Sequence, residues 1–169
     1  AAREVFEESG VLLAGRGDDA LVTPDEHPER AADRAALLAR EVSFAELLAQ
    51  RGMTLRTDLL QAQDHWITAE FEPRRYDTWF FAALMPADQH ADDDTTESDV
   101  SRWVRPAQLL ADLRAGDAVM LPPTELQLER IGRAPDANSM VEHRPPLMTV
   151  MPVPEMGPDG VQLRVSYFD

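Results

Sequence analysis

An α/β sandwich, built in α+β order, is the fold that the sequence predicts. Three observations carry it. Residues 1–9 form a helix-like segment that ends on Gly10. Two strand-like segments come next, at 60–68 and 75–85, and helices opened by proline come after them, at 106–114 and 123–133.

Each element has a local reason. Gly10 suits the left-handed position that closes a helix, and Val11-Leu12-Leu13 then returns the chain to the core as a strand or extended exit over 11–14. Glycines and prolines make 15–29 a polar loop. The spacing of Ala31, Ala35, Leu38 and Ala39 predicts a helix over 28–41 with those residues as its apolar stripe. Ser43 and Glu46 form a capping box for a second helix over 43–51, which Gly52 closes. This helical pair reads as an insertion, about 28–51.

Residues 60–68 read as a strand. Residues 75–85 read as a buried one around Tyr76, Trp79, Phe80, Phe81 and Leu84, with the aromatics as core in preference to a base-stacking platform. Asp88, Asp92, Asp93, Asp94 and Glu97 make 86–98 an acidic loop, and 100–104 reads as a short strand. Pro106 takes the first position of a helix that Gly116 ends, and Pro122-Pro123 opens the next. Beyond 135 the chain is Pro-rich. It then alternates as two strands, 147–153 and 161–167, joined by Gly157-Pro158-Asp159-Gly160. The expected division is a domain over 1–134 and a C-terminal β-hairpin extension over 135–169. That extension is expected to pack on the sheet, form a homodimer contact or cover the N-terminal region that would precede Ala1.

Composition narrows the function. The 169 residues suit one domain with an insertion, and 44% hydrophobic residues are enough for a core. Thirty-one acidic against 16 basic residues give a net charge of -15, which argues against nucleic acid and anionic membranes as partners. With no cysteine, disulfides, thiolate catalysis and Cys-ligated zinc are excluded. No apolar run approaches a membrane span and no signal peptide is visible, so a cytoplasmic location is expected.

The chemistry concentrates in Arg3-Glu4-Val5-Phe6-Glu7-Glu8-Ser9-Gly10. Glu4, Glu7 and Glu8 stand at i, i+3 and i+4, so one helix face carries three carboxylates. Such a cluster repels itself unless a cation intervenes, and its hard oxygen donors suit Mg2+ or Mn2+. Arg3 is placed to orient a glutamate, most simply Glu7 one turn on; the alternative is an ordinary i, i+4 ion pair worth a few tenths of a kcal/mol. The plain reading of the whole stretch is an acidic, solvated helix face.

Arg3, Glu4, Val5, Glu7, Glu8, Gly10 and Val11 resemble the second half of the Nudix box, G-x5-E-x7-R-E-U-x-E-E-x-G-U, with U a bulky aliphatic residue. The resemblance implies an α/β/α sandwich with a mixed sheet, seen here without its first strands. The first Gly and Glu of the box would precede Ala1, so an upstream segment is expected to complete the fold. Trp66-Ile67-Thr68, the run from Pro73 to Phe81, and Leu121-Pro122-Pro123-Thr124 resemble a branch that contains the peroxisomal coenzyme A diphosphatases. Ala69 departs from the proline that many relatives place there.

For function, the resemblance implies hydrolysis of a diphosphate linkage in a nucleotide-linked small molecule, with Glu4, Glu7 and Glu8 as metal ligands. Glu4 is the usual general base. Glu97, from the acidic loop, is a second candidate as base or ligand, and Asp99 a weaker one. Arg74 and Arg75 are candidates for substrate phosphates; the alternative pairs Arg75 with Asp77 or a helix end. His27, His65, His90 and His143 show no ligand spacing and read as structural. Coenzyme A or an acyl-coenzyme A is the first substrate, with ADP-ribose, NADH or another nucleoside diphosphate derivative next. The alternatives in other classes are a non-catalytic, nucleotide-binding regulatory module and an acidic helical interaction protein.

Overall fold

The computed structural model describes residues 1–17, 20–92, 103–157 and 160–168, with backbone alone at 161, 163 and 166–168, and among these residues it forms six α-helices and six strands. They are α1 (Ala2–Ser9), β1 (Ala14–Gly15), α2 (Arg30–Leu38), α3 (Phe44–Gln50), β2 (Thr54–Leu55), β3 (Gln61–Ile67), β4 (Asp77–Ala82), α4 (Pro106–Ala115), α5 (Pro122–Arg133), α6 (Ala137–Glu142), β5 (Thr149–Gly157) and β6 (Gly160–Phe168). A 3-10 turn covers Thr57–Leu59. The chain forms two compact units, Ala1–Leu60 with Ala83–Trp103, and Gln61–Ala82 with Val104–Asp169.

In the first unit, α1 buries Ala2 and Phe6, one turn apart, and Phe6 is completely shielded from solvent. Around Phe6 lie Leu12, Ala14, Val22, Leu37, Leu47, Leu48 and Met53. Gly10 ends α1 at φ 70° and its N–H donates to the Phe6 carbonyl at 3.0 Å. Two constraints require glycine there: the left-handed backbone, and a Cβ that would sit 2.8 Å from Asp92 Oδ2. Past Gly10, Val11 to Ala14 are all buried, and β1 pairs with β2 antiparallel. Buried Gln89 pairs with the backbone of Leu12 as a neighbouring strand would: Leu12 N–H donates to Gln89 Oε1 at 2.8 Å, and Gln89 Nε2 donates to the Leu12 carbonyl at 2.9 Å and the Val22 carbonyl at 3.1 Å.

The insertion forms both expected helices, and Ser43 and Glu46 make the full capping box of α3. Its packing differs from the apolar stripe read from the sequence. The buried residues of α2 are Asp33, Arg34 and Leu37, while Ala31, Ala35 and Ala39 are exposed. Alanine offers little area to bury, and the partners of Asp33 and Arg34 fix the helix rotation. Asp33 accepts from Arg51 and from His27, whose ring lies over Phe6 with centroids 6.4 Å apart.

In the second unit, a mixed sheet has the order β4-β3-β5-β6. β3 pairs antiparallel with β4, parallel with β5 at His65↔Thr149 and Trp66↔Val150, and β5 pairs antiparallel with β6 along its whole length. The C-terminal hairpin thus extends the sheet. A register shift between Ala62 and Asp64 leaves Gln63 bulged, and Arg130 of α5 donates to its carbonyl at 2.9 Å. Buried Asp64 accepts from Trp66 Nε1 at 2.8 Å and Gln127 at 2.9 Å and pairs with Arg130 at 3.1 Å, so α5 is tied to one face of the sheet.

Two expectations fail here. β4 lies at the edge of the sheet among the described residues and is not buried: Trp79 and Phe81 are 46% and 41% exposed, while Phe80, on the face of Asp64, and Ala82 are partly covered. An edge strand has a partner on one side only, and Asp77, Trp79 and Phe81 share the face opposite α5. Of the strand expected over 100–104, Trp103 and Val104 are described and are not in a strand; the preceding residues lie outside the described ones. α6 is an addition to the expected elements; Asp136 caps it by accepting from Ser139 N–H at 2.7 Å.

Candidate active site

One helix, α1, positions Arg3, Glu4, Glu7 and Glu8. Arg3 hydrogen bonds through one Nη to Glu7, one turn on, and through the other to the adjacent Glu4. The Glu7 side chain is 10% exposed, against 49% for Glu4, and Glu8 is exposed with no hydrogen bond or ion pair among the described residues. Glu4 also lies in the first turn, where the positive end of the helix dipole favours a carboxylate. The hydrogen bond to Glu7 outweighs desolvation and raises the Arg3 pKa above its ordinary value.

Ion pairs at i, i+4 spacing stabilise a helix by only a few tenths of a kcal/mol. The bridge therefore matters for orientation more than for stability. It supplies a positive charge between two like charges that would otherwise repel.

Among the described residues, no three His, Asp or Glu side chains already converge as a metal-binding group. Arg3 engages two of the three carboxylates, Glu4 and Glu7. The donor set itself fits a hard divalent cation: all its donors are carboxylate oxygens, they share one helix, and Glu4 and Glu8 are exposed.

At the C-terminal end of α1, buried Arg34 donates from Nε to the Glu7 carbonyl at 2.8 Å and pairs through Nη1 with Asp92. Asp92 N–H donates to the Ser9 carbonyl at 3.0 Å. Sequence reasoning missed Arg34 and Gln89. No local pattern signals either, because their partners are 27 and 77 residues away.

The remaining candidates are placed separately. Arg74 and Arg75 are exposed, in the second unit just before β4. Arg75 donates to the Thr68 carbonyl at 3.0 Å and lies 3.5 Å from Met151 Sδ. Asp77, the alternative partner expected for it, instead meets His65 Nε2 at 2.6 Å. His65 also contacts Thr149 at 3.0 Å and stacks on Trp79 with centroids 4.2 Å apart. Glu97, with Asp93, Asp94 and Asp99, lies outside the described residues.

A mixed α/β fold with a carboxylate-bearing helix closed by glycine defines a class, and comparison with known proteins supplies its family. The family model described as the NUDT19 Nudix domain matches residues 1–131. The chain belongs to the Nudix hydrolase family, whose members generally use divalent metals. It is 31% identical over 136 residues to a putative nudix hydrolase 7 of Caenorhabditis elegans, covering 80% of this chain and 44% of that protein. To the acyl-coenzyme A diphosphatase NUDT19 of Xenopus laevis it is 27% identical over 143 residues, 78% of this chain and 38% of that protein. The chain thus spans less than half the length of these two relatives. A crystal structure of a Nudix hydrolase from Alicyclobacillus acidocaldarius superposes with a TM-score of 0.65 at 25% identity, covering 85% of this chain and 64% of that one.

Proposed function

We propose that the protein hydrolyses a diphosphate linkage in a nucleotide-linked substrate, with coenzyme A or an acyl-coenzyme A as the first candidate. The observation that carries this is α1 itself, where Glu4, Glu7 and Glu8 share one helix with Arg3 bridging two of them. The name of the Xenopus relative supports the substrate class, and the family match ending at 131 supports a domain over 1–134 followed by an extension over 135–169.

Glu4, Glu7 and Glu8 would hold Mg2+ or Mn2+, which when bound polarises phosphoryl oxygens and lowers the pKa of water. The chain's own residues do the rest. A water oxygen bonds to one phosphorus as the bridging P–O bond breaks, and the bridging oxygen leaves with the electron pair on the departing phosphate. A carboxylate, Glu4 or Glu97, takes the proton of the attacking water. Arg3 orients Glu7 through their hydrogen bond. Arg74 and Arg75, both exposed, are suited to phosphate oxygens through bidentate hydrogen bonds.

A product-release screen tests the proposal, run over coenzyme A, an acyl-coenzyme A, NADH, ADP-ribose and nucleoside triphosphates with Mg2+ or Mn2+, the phosphorylated products being separated by chromatography. Release from coenzyme A supports it in full. Release from ADP-ribose or NADH alone replaces the substrate and keeps the reaction.

A further inference from the structure

The geometry points to Arg34, a residue of the helical insertion, as a positioning residue for the carboxylate helix. This rests on the function proposed above. A helix leaves its last carbonyls without partners, and the negative end of its dipole favours a cation. In α1, Gly10 N–H meets the Phe6 carbonyl, Arg34 Nε meets the Glu7 carbonyl, and Asp92 N–H meets the Ser9 carbonyl. The same guanidinium pairs with Asp92 through Nη1. One side chain from α2 therefore ties the turn that carries Glu7 and Glu8 to Asp92, five residues before Glu97 in the sequence.

Stability alone explains this arrangement poorly. The Arg34 side chain is 8% exposed, and its Nη2 is buried with no hydrogen-bond partner among the described residues. Desolvating a guanidinium costs several kcal/mol, and a buried ion pair often gains nothing over well-packed apolar residues. What the fork provides is geometry: two donors in one plane fix two segments relative to each other. In catalysis an error of about 1 Å in such a placement costs on the order of 100-fold in rate.

The test uses the full-length protein and three variants, Arg34→Met, Asp92→Asn and the double variant. Amide hydrogen exchange is measured first, without metal or substrate. Arg34→Met is expected to speed exchange at Gly10 and Asp92 by about tenfold or more, while Leu47, held by the Ser43 carbonyl at 2.9 Å, keeps its protection and reports an intact core. If Leu47 also loses protection, Asp92→Asn, which leaves the hydrogen bond from Arg34 to the Glu7 carbonyl in place, decides by the same readout. Unchanged exchange at Gly10 and Asp92 in a folded variant overturns the inference.

With an active wild type, kcat is expected to fall about tenfold or more in Arg34→Met, while the Mn2+ concentration for half-activation stays within about threefold. The double variant is expected to fall no further than Arg34→Met. Independent, multiplying losses, or an unchanged kcat, overturn the inference. A wild type that cleaves nothing in the screen removes the proposed function, and the exchange measurement then decides the clamp by itself.

Discussion

Arg51 grips Asp33 with both arms of its guanidinium, Nε to Oδ2 at 2.7 Å and Nη2 to Oδ1 at 2.6 Å. His27 Nε2 lies 2.7 Å from the same Oδ2. Burial pushes the Asp33 carboxyl up, but the hydrogen bonds from Arg51 and His27 outweigh it and hold the pKa below its ordinary value. A carboxyl lowered on folding adds stability that is present above its unfolded pKa, about 3.9, and is lost as pH falls through the folded value. Urea unfolding is therefore expected to show stability dropping with acidification below about pH 4. Asp33→Asn should lower stability at pH 7 and flatten that dependence, and an unchanged slope would count against the assignment.

Phe6 lies between α1 and the core and meets Phe44 at 6.3 Å as well as His27. Phe6→Ala is expected to cost about 3–5 kcal/mol, the range for a large buried aromatic. Phe6→Leu should cost markedly less. Denaturant midpoints with an unchanged m-value check both.

Gly10→Ala combines a left-handed backbone with a Cβ pressed on Asp92. The backbone alone costs about 1–2 kcal/mol. The same variant pushes Asp92 away from the end of α1, so activity should fall more than stability does. Activity lost only in proportion to unfolding would oppose this.

Arg3→Gln separates orientation from stability. The side chain is 48% exposed, so the melting temperature should change little, in line with about 0.5 kcal/mol or less for an exposed pair. Hydrolysis should nevertheless fall by about tenfold or more. Equal activity at equal stability would reduce Arg3 to a surface ion pair.

Local signals are legible in the sequence and long-range ones are not. Glu4, Glu7, Glu8 and Gly10 read correctly as one glycine-closed helix because helical spacing and a left-handed stop are properties of adjacent residues. The capping box of Ser43 and Glu46 and the proline starts of α4 and α5 are local in the same way. The buried face of α2 differs from the alanine stripe because Asp33 and Arg34 are buried by partners far along the chain, and charge normally marks a solvent face. Aromatic density suggests a buried β4, yet burial depends on the strand's place in the sheet, and β4 sits at the edge. Gln89 acts as a surrogate strand for Leu12, a role that a loop glutamine gives no hint of until the chain is folded. α6 precedes the proline-rich stretch of the tail and is six residues long, too short for periodicity to reveal.

The central claim is that the carboxylates of α1 make a metal-dependent diphosphatase. Release of the two phosphomonoester products from coenzyme A in Mg2+ or Mn2+, compared between wild type and Glu8→Gln, tests it most directly. Glu8 is exposed, so the variant should fold with an unchanged melting temperature. The account predicts metal-dependent release by the wild type and a loss of about 100-fold or more in Glu8→Gln. Equal release by the two proteins, with or without metal, would contradict it.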